Sequence, residues 1–294
     1  MAIVKTELEI KEYLTVDASF DFNTILPYIE IAEEELIRVL GQPQFDLLNT
    51  YYNTVLPDDD PTLNDLLPYA QRPVVFFAFL KGLDMFNVNI GNLGIGVISN
   101  TNLAPASEKR VENLRNSITE RAYDSLEYLL KFLEINTDDY SVWMNSDAYT
   151  YQYEFLISSA RKFDELYKIN RSRLTFLNYR PVMADVELLQ IFPVISKAFC
   201  DELKGQIKGD VVTDANAIVL PLIQKALAYF TAANFDHDKN LTMKGDSYIM
   251  MVKSILDASP DDYPTYAASS TYLADLDNYQ SYENIDDSNL GVFG

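Results

Sequence analysis

From Ile25 to Leu40 the apolar residues Ile25, Ile29, Ala32, Leu36, Val39 and Leu40 recur at spacings of three and four, while Glu30, Glu33, Glu34 and Arg38 take the other face. The pattern predicts an amphipathic helix stopped by Gly41 and Pro43, with Glu34 and Arg38 as an i,i+4 pair. A second stripe, running from Val111 and Leu114 through Ile118, Ala122, Leu126 and Leu129 to Leu133, predicts a helix from an N-cap at Ser107 to Glu134, about 40 Å long at about 1.5 Å per residue. The run Val74-Val-Phe-Phe-Ala-Phe-Leu80, halted by Lys81 and Gly82, predicts a buried core helix, and another helix is expected over 218–235.

Between the core helix and the long helix, Val88 and Ile90 alternate on one side of a glycine-rich turn and Ile95 and Val97 on the other. Gly91, Gly94 and Gly96 give G-x-x-G-x-G, with no lysine and a helix in front of them, which matches neither a dinucleotide fingerprint nor a P-loop. A short β-hairpin or ordered loop is the expectation. Its edges would need a partner.

Self-similarity organises the rest. Leu67-Pro-Tyr-Ala-Gln-Arg72 matches Leu220-Pro-Leu-Ile-Gln-Lys225 at an offset of 153, while Tyr13 with Tyr167, Phe22 with Phe176, Pro27 with Pro181 and Phe45 with Phe199 give 154. The fold class expected is therefore all-α, with two similar helix bundles from an internal duplication, the hairpin, and an extended C-terminal arm. The divisions fall at 1–140, 141–258 and 259–294, the halves meeting in the polar stretch 136–147 that holds the lone Trp143. In the last division no Lys or Arg appears, whereas Asp261, Asp262, Asp275, Asp277, Glu283, Asp286 and Asp287 do. Tyr263, Tyr266, Tyr272, Tyr279 and Tyr282 punctuate it, so the arm is expected to lie along a neighbouring subunit.

Composition narrows the chemistry. Forty-four acidic against 23 basic residues give a net charge of -21, which disfavours a general grip on nucleic acid or an anionic membrane. No signal peptide or membrane span is expected. The single cysteine, Cys200, excludes an internal disulfide and reads as a buried small hydrophobe.

Asp58-Asp59-Asp60 lacks the further aspartate of a D-D-x-x-D magnesium site, since Thr62 and Leu63 stand there, and reads as a loop capping the helix after Pro61. Asp236-His-Asp-Lys-Asn240 opens like a calcium loop but lacks its glycine and its closing glutamate, having Leu241 and Ser247 instead. With one histidine and one cysteine, base and nucleophile pairings have little to work with. No catalytic residue, cofactor or metal is assigned; a helical metal-dependent enzyme using Asp58 to Asp60 and Asp261-Asp262, and an acidic cytoplasmic scaffold, are the alternatives.

The stretch Ile25 to Gly41 with Phe45-Asp-Leu-Leu48 resembles the opening helix of head-tail connector (neck adaptor) proteins of tailed bacteriophages. Leu156 to Tyr167 and Ser172 to Met183 resemble a longer, duplicated family of phage and prophage proteins of uncharacterised function. The resemblance implies a non-enzymatic virion subunit, made in the bacterial host cytoplasm, that builds a ring, commonly twelve-fold, in the neck. Its implied partners are its own copies, the portal protein and the next tail component, with DNA passing through the lumen without specific binding. Val88, Ile90, Ile95 and Val97, with Tyr272, Tyr279, Tyr282 and Phe293, are the expected subunit-interface residues.

Overall fold

The computed structural model describes residues 2–17, 20–54, 60–91, 94–97 and 107–273, and of 87–97 the backbone alone. The fold is all-helical apart from one two-stranded ladder among the described residues. The chain forms two compact units: 1–152 with 159–161 and 169–176, and 153–158 with 162–168 and 177–294. The first division expected from sequence falls at 140. Trp143 moves it, because its buried indole donates to Val39 O at 3.1 Å, a carbonyl whose helical donor would have been Pro43.

Unit 1 contains α1 (Glu7–Tyr13), α2 (Leu26–Leu40), α3 (Gln42–Asn53), α4 (Pro61–Gly82), β1 (Val88–Gly91), β2 (Gly94–Val97), α5 (Glu108–Ile135), α6 (Ser141–Met144) and α7 (Asp147–Gln152). Helix α4 packs against α2 and α5, burying Val74 to Ala78 as its apolar run predicts. In α5 burial begins at Ile118, and Leu114 is half exposed, so the first turns of the predicted stripe lie outside the core. The strands pair antiparallel, Val88 opposite Val97 and Ile90 opposite Ile95. Gly41, with φ of +78°, makes the turn from α2 to α3, where a Cβ would sit 2.8 Å from the Ser146 Cβ.

The stretch that follows carries α8 (Ala160–Leu166) and α9 (Arg173–Val186), whose residues are shared between the two units. Unit 2 continues through a π-helical turn (Glu187–Ile191), α10 (Phe192–Ile195), α11 (Lys197–Lys208), α12 (Asp214–Asp236), α13 (Lys239–Ala258) and α14 (Pro264–Ala267). Ser196, with φ of +69°, makes the turn from α10 to α11 in the conformation that Gly41 holds in unit 1. Helix α12 has the length and apolarity of a membrane span, a property not expected from sequence, and most of that surface is buried inside the unit against α13 and its neighbours. Cys200 is fully buried, and burial pushes its thiol up.

Three expectations fail for local reasons. Glu33, assigned to the solvent face of α2, is buried, and Arg38 pairs with Glu35 at 3.0 Å instead of Glu34. The division at 259 does not begin an extended arm: Pro260 and Pro264 open a 3-10 turn and α14, where a proline lacks nothing the first turn needs. Tyr263 and Tyr266 are buried there.

Candidate functional site

Each unit is closed by the same kind of polar clamp. In unit 1 the buried Glu33 carboxylate accepts Ile3 N–H at 2.8 Å, and Gln71 Nε2 donates to Ile3 O at 2.7 Å. In unit 2 Glu187 accepts Leu156 N–H at 3.1 Å, and Gln224 Nε2 donates to Leu156 O at 2.7 Å. A non-helical segment packed into a helical core would otherwise bury an unpaired peptide group, which costs ~1–3 kcal/mol. Burial raises both carboxyls above the ordinary range; Ile3 N–H opposes the shift at Glu33, and Lys204, 2.5 Å from Glu187, opposes it there. These groups are structural: each carboxylate takes a buried backbone N–H and each glutamine amide takes the carbonyl of the same residue.

One open feature of unit 1 is a cleft of about 340 Å³ walled by α1, α4 and α5. Tyr13 donates from its hydroxyl to Pro68 O at 3.3 Å and lies under the Arg72 guanidinium, 5.5 Å from its ring centre. Arg121 and Tyr128 stand on the rim, and Ser125 lies where α5 borders the cleft. Among the described residues neither Arg72 nor Arg121 has a carboxylate partner. Two acids, Glu12 and Asp124, also border the space; burial, then Glu120 and Glu127, raises the Asp124 carboxyl. The cleft can therefore hold a group that carries both negative charge and a hydrogen-bond donor.

Unit 2 carries a related cluster on α12 and α13. Tyr229 and Tyr248 stack at 5.7 Å with their planes 10° apart, and Lys225 and Lys244 lie over the Tyr248 and Tyr229 rings at 5.3 and 5.4 Å. Tyr167 meets Tyr229 edge-on and donates to Asp236 Oδ2 at 3.4 Å.

The acidic motifs have local duties. Asp60 caps α4 by accepting Thr62 N–H and Leu63 N–H, as expected; Asp58 and Asp59 lie outside the described residues. Asp238 caps α13, and His237 makes the left-handed turn that separates it from α12. No group of three or more His, Cys, Asp or Glu side chains placed to hold a metal occurs among the described residues.

Of the expected interface residues, Val88, Ile90, Ile95 and Val97 are in the ladder, their side chains outside the described set. Tyr272 is half-buried, its ring 5.4 Å from Tyr266 and its N–H on Ser269 Oγ. Tyr279, Tyr282 and Phe293 lie outside the described residues. Sequence reasoning misses the cleft, although Arg72 and Lys225 close the very repeat that self-comparison finds.

The sequence model of one family matches residues 36–153 and 236–275, together more than half of the chain. The chain belongs to DUF6712, a family of unknown function. The DUF6712 match takes in the cleft residues contributed by α4 and α5, and in unit 2 all of α13 and α14. Both matched segments contain an Asp-Asp-Tyr turn, at 138–140 and 261–263. No curated protein matches the chain, and no solved structure does.

Proposed function

We propose that this DUF6712 protein is a structural virion component, a head-tail connector that forms a ring between portal and tail, and that its two units descend from one duplicated helical unit. Support for the duplication is positional. The clamps pair Ile3, Glu33 and Gln71 with Leu156, Glu187 and Gln224 at offsets of 153 and 154. Tyr140 donates to Thr62 O at 2.9 Å and Tyr263 to Ala215 O at 3.1 Å, so one tyrosine ties each Asp-Asp-Tyr turn back to the first turn of a long helix. On α5 and α13 the buried residues Ala122, Leu126, Leu129 and Leu133 answer to Gly245, Ile249, Val252 and Leu256 at an offset of 123. On α3 and α11 the buried trio Gln44, Phe45 and Leu48 answers to Phe199, Cys200 and Leu203 at 155, one more than sequence comparison assigns to Phe45.

The observation that carries the connector reading is the difference between these offsets. In unit 2, α12 reaches α13 through His237 and Asp238 alone, whereas in unit 1 the stretch 83–107 with its β-ladder lies between α4 and α5. Unit 2 packs its helix pair without such a stretch, so packing does not require it. A ladder of two strands presents edges suited to strand addition from a neighbouring chain. Val88, Ile90, Ile95 and Val97 would make that contact, with Tyr272, Tyr279, Tyr282 and Phe293 contributing a second one. The portal and the next tail component are the other partners, and the virion neck is the location.

Quantitative mass spectrometry of density-banded particles from a producing culture, with copy number referenced to the portal protein, tests this. A ratio fixed by neck symmetry is expected. Absence from particles overturns it.

A further inference from the structure

We propose that the open cleft of unit 1 receives an acid-flanked tyrosine from segment 274–294 of a second copy of this chain. The pairing of cleft and segment rests on the residues below; only the assignment of the segment to a neighbouring copy rests on the ring reading.

The offsets place the two clusters at one location in their respective units. Arg72 answers to Lys225, Phe76 to Tyr229 and Tyr13 to Tyr167, while Arg121 answers to Lys244 and Ser125 to Tyr248. Two cations and an aromatic floor are thus common to both. The difference is Tyr248, whose ring stacks on Tyr229 beneath Lys225. Unit 1 has Ser125 there, its hydroxyl turned to Ala122 O at 2.6 Å, and the cleft stands open. At this one position unit 2 therefore places a phenol ring where unit 1 has a serine.

Charge selects the occupant. In a chain of 44 acids and 23 bases, Arg72 and Arg121 border one cavity without a carboxylate partner among the described residues. Segment 274–294 carries Asp275, Asp277, Glu283, Asp286 and Asp287 and no Lys or Arg. Tyr279 and Tyr282 lie among these acids, the latter directly before Glu283. A bare anion would meet Glu12 and Asp124 as well as the arginines. A tyrosine avoids that conflict: its hydroxyl donates to Asp124 while its flanking carboxylates meet Arg72 and Arg121. The ring would lie between two guanidinium groups, an arrangement aromatic faces favour.

The test uses the full-length chain carrying Tyr279→Ala and Tyr282→Ala as receptor and a fluorescein-labelled synthetic peptide of residues 274–294 as probe, read by fluorescence anisotropy. Saturable binding is expected, weakened at least tenfold by Arg72→Gln with Arg121→Gln in the receptor and by the two tyrosine changes in the peptide. Ser125→Tyr, which copies unit 2, should abolish it, whereas Lys225→Gln with Lys244→Gln should leave it unchanged. Circular dichroism checks that each receptor is folded. No binding, or equal binding to the arginine-substituted receptor, overturns the pairing. Sedimentation of the wild-type chain decides the owner: association that Arg72→Gln with Arg121→Gln weakens is expected, and a monomer at every concentration where the peptide binds overturns the second copy. Neither readout depends on particle composition, so this inference and the connector reading fail separately.

Discussion

Units 1 and 2 solve the same problem with different charge. Glu33 and Glu187 both take a buried backbone N–H, yet Glu187 has an ammonium 2.5 Å away and Glu33 has Ile3 N–H as its main compensation. A buried carboxylate with a full counter-ion makes that counter-ion dependent on it, since either charge alone would be left uncompensated. The difference teaches that equivalent clamps need not be equally costly to lose.

Glu187→Ala should be the most damaging change, destabilising unit 2 by about 3–5 kcal/mol because it strands both Lys204 and Leu156 N–H. Glu33→Ala strands a backbone N–H alone and should cost about 1–3 kcal/mol. Urea denaturation of the two variants measures the gap, and equal losses would remove the distinction.

The turns come next. Gly41→Ala adds a Cβ at positive φ against Ser146 and should cost about 1–3 kcal/mol. Ser196→Gly should move the other way, since relief of the left-handed conformation outweighs a cap hydrogen bond to Phe199 N–H that glycine replaces at a cost of only a few tenths. A gain of roughly 0.5–1 kcal/mol is expected by thermal unfolding.

Smaller still, Tyr140→Phe and Tyr263→Phe should each cost about 0.5–1.5 kcal/mol, one hydrogen bond apiece. Unequal losses would show that one turn has acquired further support. The weakest effect is in pH. Both clamp carboxyls titrate above their unfolded value, so the folded chain binds their protons more tightly, and this contribution to stability falls as pH rises through the ordinary carboxylate range to the raised values. Glu33→Gln with Glu187→Gln should flatten that decline, read as the difference between wild-type and variant unfolding midpoints across pH 4 to 8.

Periodicity makes α2, α4, α5 and α12 legible, because each presents an apolar stripe or run to the core of its own unit. Glu33 is not, since a carboxylate at a polar position of an amphipathic helix looks the same whether it meets water or a threaded backbone. The Gln71 and Gln224 match is visible as sequence, while its meaning requires Ile3 and Leu156, distant in the chain. The cleft is hidden for a related reason: Ser125 is informative only beside Tyr248, and that pairing follows an offset of 123 that sequence comparison does not find. The helical turns at Pro260 and Pro264 are hidden because the acids and tyrosines around them carry no apolar period.

The π-helical turn at Glu187–Ile191 gives unit 2 a tolerance that a regular helix lacks. Deleting one residue from α5 would rotate everything beyond it by about 100° and carry Leu126 and Leu129 out of the core. A π turn already holds one residue more per hydrogen-bonded ring than the α-helix around it. Here the surplus lies toward water, at the exposed Leu188 and Leu189, between the buried Glu187 and Ile191. Loss of either leucine would let the turn relax to α-helix while both flanking residues stayed inside, so chain length at this point is free to drift without a change of fold.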